Sequence, residues 1–142
     1  YTTEGRRTIE MNSLNHYAYG AVGDWMYREI GALECAAPGY RHVRVHPRPA
    51  GGITWARTHH EAPAGRVAVE WDVEPNGLRV AVEVPPSAGA TVILDAAPDR
   101  IREGGRQLGE APGVEDVRAG PDRTEIAIGS GVYRFEVDGG VE

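Results

Sequence analysis

The chain has 142 residues, 41% of them apolar and 25% charged, a balance that permits a buried core, excludes wholesale disorder and fits one ordinary domain with a small appendage. Its 15 basic residues are all arginines, outnumbered by 21 acids for a net charge of −6, which argues against nucleic acid as a partner because phosphate binding needs a basic surface. A single cysteine, Cys35, excludes an intrachain disulfide, and no run approaches the ~18 apolar residues that cross a bilayer, so the expectation is a soluble, membrane-free protein, cytoplasmic or secreted.

Tyr1–Glu10 carries no periodic signal. From Asn12 to Leu33, the residues Leu14, Tyr17, Ala18, Ala21, Val22, Trp25, Ile30 and Leu33 recur at helical spacing and predict one amphipathic helix over 12–33. Asn12 or Ser13 can cap its start, Asp24 and Arg28 stand four apart as a surface ion pair, and Cys35–Gly39 (CAAPG) stops it. Gly20 and Gly23 each weaken such a helix by up to ~1 kcal/mol relative to alanine, so they mark a place where another backbone or a ligand comes close.

Beyond Tyr40 the period changes to two. RHVRVHP, ITWARTHHE, RVAVEWDVE, LRVAVEVPP, TVILDAA, TEIAIGSG and VYRFEV read as strands, each bounded by Gly, Pro, Asn or Asp from a stock of 19 glycines and 10 prolines. Val67, Val69, Trp71 and Val73 share one face, Leu78, Val80, Val82 and Val84 share another, and Glu74–Gly77 (EPNG) forms a tight hairpin turn between them. The predicted fold is mainly β: an antiparallel two-sheet β-sandwich, jelly-roll-like, preceded by one amphipathic α-helix. The change of period divides the chain into 1–37, the tail of a helical domain; 38–52, a Pro- and Gly-rich linker with the first strand; and 53–142, the sandwich.

Residues with chemical potential are few. Ordinary glycoside hydrolysis needs two carboxylates converging on one sugar, and the helical acids Asp24 and Glu29 stand roughly 140° apart around the axis, as solvated charges do. His42 and His46 lie ~13 Å apart along a strand, and the adjacent His59 and His60 point to opposite faces, so neither pair chelates a metal and no cofactor is implied. Ser13 lacks a nucleophile elbow, Cys35 lacks a paired base, and Gly51–Gly52 lacks a phosphate-loop pattern. Trp25 and Trp71 fall on apolar stripes and read as core, whereas Trp55 shares a side with Ile53 and Arg57, where it can pack between helix and sandwich. His16, flanked by Asn15 and Tyr17, is either a hydrogen-bonded helix-end histidine or part of a sugar pocket.

The string MNSLNHYAYGAVGDWMYREIGAL, followed by APGYRHVRVHPRPAGGITWARTHHEAPAGRVAVEWDV, resembles the end of the bacterial α-L-rhamnosidases of glycoside hydrolase family 78. The likeness includes the PRP-x-GG-x-T-x-A segment at Pro47–Ala56, P-x-G-R at Pro63–Arg66, the VPPSAGATVIL run and the closing GSGVYRFEV. Tyr1–Glu10 departs from the family, which usually carries a tryptophan-containing segment shortly before MNS. The resemblance implies an (α/α)6 catalytic barrel followed by a carboxy-terminal β-sandwich, with inverting, metal-independent removal of terminal α-L-rhamnose. Residues 1–37 would then end the barrel and 53–142 form the accessory domain, while the family's general acid and base have no counterpart here. It further implies that His16, the histidine of SLNH, contacts the sugar, with Asn15 second. The implied partners are the rest of the catalytic domain and a rhamnose-containing carbohydrate, and an uncovered helix stripe offers a surface for self-association. The competing reading is a non-catalytic carbohydrate-binding module, which turns on whether Trp55 is exposed.

Overall fold

Alternating side chains bury one face of a strand and wet the other, so seven alternating runs need two sheets packed face to face. The computed structural model describes residues 18–139, and among them the chain runs through helix α1 (Ala18–Trp25), a π-helical turn at Met26–Ile30 and eleven strands. The strands are β1 (Leu33–Cys35), β2 (His42–Val45), β3 (Trp55–Ala62), β4 (Gly65–Glu74), β5 (Gly77–Val84) and β6 (Gly89–Leu94), followed by β7 (Ile101–Glu103), β8 (Arg106–Gln107), β9 (Val114–Ala119), β10 (Thr124–Ile128) and β11 (Gly131–Asp138). One sheet has the order β1-β2-β6-β10-β9 and the other β3-β4-β5-β11-β7-β8. The β-sandwich expected from the alternation is present, antiparallel throughout except where β2 runs parallel to β6. No helix among the described residues is long and apolar enough to cross a membrane.

The core lies between the sheets and is valine-rich. Val43, Val45 and Val92 meet Ile126 and Ile128 on one side, and Val67, Val69, Val80, Val82 and Phe135 on the other. The EPNG hairpin forms as expected, with Glu74 opposite Gly77. Gly77 sits at φ 154°, and a Cβ there would collide with the Val137 carbonyl of the neighbouring strand, which is why glycine occupies the turn.

The predicted helix does not reach Leu33. Gly31 closes the π-turn with its N–H on the Met26 carbonyl at 2.8 Å, Ala32 swings to φ 56°, and Leu33 enters β1 opposite Val45. Pairing opposite Val45 buries Leu33 and overrides its helical spacing. The amino-terminal part of that helix, with the Asn12 or Ser13 cap, lies outside the described residues. Strands β1, β7, β8 and β9 carry no alternating apolar signal: the first three are two or three residues long, and β9 (VEDVRA) shows only half-buried valines among exposed neighbours.

Helix and sandwich are joined at Trp71. Its ring is almost wholly buried in β4, opposite Ala56 and Val80, and its Nε1–H donates to the Ile30 carbonyl at 2.9 Å. That carbonyl is one of the groups a helix end leaves unpaired. Among the described residues no buried side-chain nitrogen or oxygen lacks a partner: Thr124 Oγ1 donates to the Ala96 carbonyl at 2.7 Å, and Glu103 accepts the Arg134 N–H at 3.2 Å.

Replacing Trp71 by alanine is expected to lower the free energy of unfolding by about 3–5 kcal/mol through lost burial and cavity formation. Trp71→Phe should cost about 1–3 kcal/mol, because it strands the Ile30 carbonyl. Urea titration of the two variants measures both, and equal stability of Trp71→Phe and wild type would show that the indole hydrogen bond is idle.

Candidate functional site

The helix end meets the sandwich along the edge strand β3, and three contacts fix the meeting. The Trp71 indole holds the Ile30 carbonyl, Tyr27 donates its hydroxyl to the His59 carbonyl at 3.2 Å, and Gly31 lies so close to Thr58 that a Cβ would strike the threonine side chain. Gly31 is therefore the glycine of close approach. At Gly20 and Gly23, where the sequence led us to expect one, a Cβ would meet nothing within 4 Å among the described residues.

Both of those open glycines line a cleft of about 540 Å³ between helix and sandwich, with Tyr27, Arg28, Tyr40 and His60 on its walls. The Tyr40 ring stacks on the His60 imidazole, with centroids 4.1 Å apart and planes at 25°. Burial first, then the nearby Cys35, Tyr27 and Asp24, pushes the Tyr40 phenol above its ordinary value of 10.0, so at neutral pH it is a neutral hydroxyl. The two acids of this cleft each face an arginine, Asp24 with Arg28 at 2.7 Å and Glu34 with Arg44 at 4.0 Å. The first is the i,i+4 pair expected from the sequence, and exposed as it is, it contributes about 0.3–0.5 kcal/mol. A second, more apolar cleft of about 420 Å³ is walled by Trp25, Ile30, Ile53 and Trp71, with the Arg48–Glu29 pair (3.5 Å) at its rim.

His16 and Asn15, the sugar-contact candidates, lie outside the described residues. Trp71 is core, as its stripe implied, but Trp25 is 51% exposed and stands with Val22 and Met26 on an apolar helix face that stays largely exposed among the described residues. Trp55 is not packed between helix and sandwich: it is 60% exposed on the outer face of β3, with the Arg57 guanidinium 5.3 Å from its ring centroid.

His42, His46 and His60 have ordinary partners. His42 shares a hydrogen bond with Thr91 Oγ1 at 2.9 Å, and His60 is stacked on Tyr40. His46 Nδ1 accepts from the Arg48 Nε–H at 3.2 Å, which leaves its Nε2–H to donate to Asp95, also at 3.2 Å. Burial holds the His46 imidazole below its ordinary value of 6.5 and outweighs the opposing pull of the Asp95 carboxylate. Among the described residues no three His, Cys, Asp or Glu side chains come together as a metal site. Tyr27, Tyr40 and His60 escape sequence reasoning because they come from a helix, a turn and a strand, and only the fold brings them together.

The family model described as the bacterial alpha-L-rhamnosidase C-terminal domain matches residues 33–109. An alpha-L-rhamnosidase of Streptomyces avermitilis is 38% identical over 134 residues, covering 94% of this chain and 12% of that protein. One from Formosa agariphila is 39% identical over 89 residues, covering 63% of this chain and 10% of that protein. The crystal structure of the Streptomyces avermitilis alpha-L-rhamnosidase complexed with L-rhamnose superimposes with a TM-score of 0.74 at 38% identity, over 93% of this chain and 12% of that one. The chain thus spans about a tenth to an eighth of the length of the curated relatives it matches.

Because burial favours neutral His46 in the folded state, the unfolded chain binds the extra proton more readily, and stability falls as pH drops below the unfolded value of ~6.5. Denaturation midpoints measured between about pH 7 and 5 should decline, and the decline should be shallower in His46→Gln. An unchanged slope in that variant would assign the pH dependence to other groups.

Proposed function

The chain belongs to the bacterial α-L-rhamnosidase C-terminal domain family, and from this we propose that it serves within a larger glycoside hydrolase that releases terminal α-L-rhamnose from glycosides or polysaccharides. In this reading the segment 1–37 ends the helical catalytic barrel, with 53–142 as its accessory sandwich. The observation that carries it is the two-sided helix: Trp71 and Tyr27 tie it to the sandwich, while Val22, Trp25 and Met26 stay exposed on a face of the kind that packs on further helices. The sandwich then acts as a brace that holds the last barrel helix in register.

His16 hydrogen-bonds a rhamnose hydroxyl through either ring nitrogen, with Asn15 as a weaker second contact. The inverting, metal-independent reaction draws its acid and base from the rest of the enzyme, which accords with Asp24 and Glu34 each facing an arginine. Incubated alone with an aryl α-L-rhamnoside, the chain should release nothing; turnover abolished by mutating an acid within it would refute the reading. In the full-length enzyme, His16→Ala should lower kcat/KM by about 10- to 100-fold, the worth of one lost hydrogen bond to substrate, with the thermal midpoint little changed.

The same bare helix face gives the isolated chain a surface for pairing with its own copies. Its weight-average mass by light scattering should rise with concentration, and Trp25→Lys should suppress the rise. A concentration-independent monomer would remove self-association from the picture.

A further inference from the structure

Trp55 is out of place as a structural residue. At 60% exposed it forgoes most of the stabilisation that burial of a large apolar side chain supplies. The Arg57 guanidinium covers one side of the indole, 5.3 Å from its centroid, and is itself held by Asp72 at 3.2 Å and Glu70 at 3.5 Å. The ring is thereby oriented and stays largely open to solvent.

What lies beside the ring follows from the register. Trp55 pairs with Asp72, Asp72 with Arg79, Arg79 with Glu136 and Glu136 with Arg102. At about 4.8 Å between neighbouring strands, this row crosses five strands of the outer face over roughly 19 Å, with charge alternating after the aromatic end. A pyranose has matching chemistry: an apolar C–H face to lay on the exposed indole, and hydroxyls that donate to carboxylates and accept from guanidinium groups. A 6-deoxy sugar adds a methyl group to that apolar face.

We propose that the outer face of the six-stranded sheet is a glycan-binding track, anchored by stacking of a rhamnosyl unit on Trp55 and continued by Asp72, Arg79, Glu136 and Arg102. The choice of rhamnose rests on the proposed function; the track itself rests on the geometry. It would hold a polymeric substrate while the pocket of the catalytic domain takes terminal residues.

The test is calorimetric titration of the 142-residue chain with a rhamnose-containing oligosaccharide and with a glucose oligomer of equal length, for wild type, Trp55→Ala and Trp55→Phe. Binding of the rhamnose oligomer that weakens at least about tenfold in Trp55→Ala and is largely retained in Trp55→Phe is the expected result. Circular dichroism checks that both variants stay folded. No binding by the wild type at millimolar sugar, or binding indifferent to Trp55→Ala, overturns the track; equal binding of the glucose oligomer overturns the assignment to rhamnose. In the full-length enzyme, Trp55→Ala should leave turnover of a small aryl α-L-rhamnoside unchanged while raising KM for a polymeric substrate. Failure of wild-type turnover on the small substrate sinks the rhamnosidase reading and leaves the titration result standing.

Discussion

The indole of Trp71 lies inside the sandwich with its carbon framework among core residues, and its one polar atom reaches the Ile30 carbonyl at the end of the π-turn. A buried N–H needs a partner and a helix end needs donors, so each satisfies an obligation of the other. Around this bond the chain turns from helix into strand. Gly31 presses on Thr58, Ala32 takes a positive φ, and Leu33 turns from helical spacing into the first sheet. The helix end is therefore seated on the sandwich by the Trp71, Tyr27 and Gly31 contacts together.

Strand β3 shows why that seat matters. As the edge of its sheet it presents unpaired backbone groups on one side, a hazard that proteins cover or charge. Here Tyr27 takes up the His59 carbonyl, and the helix end lies against the edge. The opposite edge of the other sheet, β9, is blunted differently, with Glu115, Asp116 and Arg118 along an exposed strand. The covered edge and the bare helix face place one short element between two bodies of apolar surface, the sandwich on one side and, on the proposed reading, the catalytic domain on the other.

The two faces of the six-stranded sheet divide the labour. Inward, Val67, Val69, Val80, Val82 and Phe135 supply cohesion; outward, arginines and carboxylates lie in register beside a single exposed tryptophan. Alternation forces the inner pattern but leaves the outer one free to vary, and free positions are where binding chemistry accumulates on a fold. The absence of lysine suits this surface, since each guanidinium can bridge two acceptors in a fixed plane, as Arg57 does between Glu70 and Asp72.

The amino-acid order alone determined the sandwich, because period-two runs such as RVAVEWDVE and LRVAVEVPP can bury their apolar side only between sheets, and EPNG can only turn. It also supplied the family likeness and, through it, His16 and Asn15, which stand outside the described residues. Tertiary structure decided what periodicity cannot carry. Leu33 fits a helical stripe and a strand equally well, and pairing with Val45 chose the strand. The short strands β7 and β8 have too few residues for any period to show, and pairing of β7 with β11 and of β8 with β7 made them. Trp25, Trp55 and Trp71 are alike in composition, yet one is core, one lies on the bare helix face and one is presented to solvent. The reason is common to all of these: burial is a property of what comes to lie opposite a residue, and that neighbour is often distant along the chain.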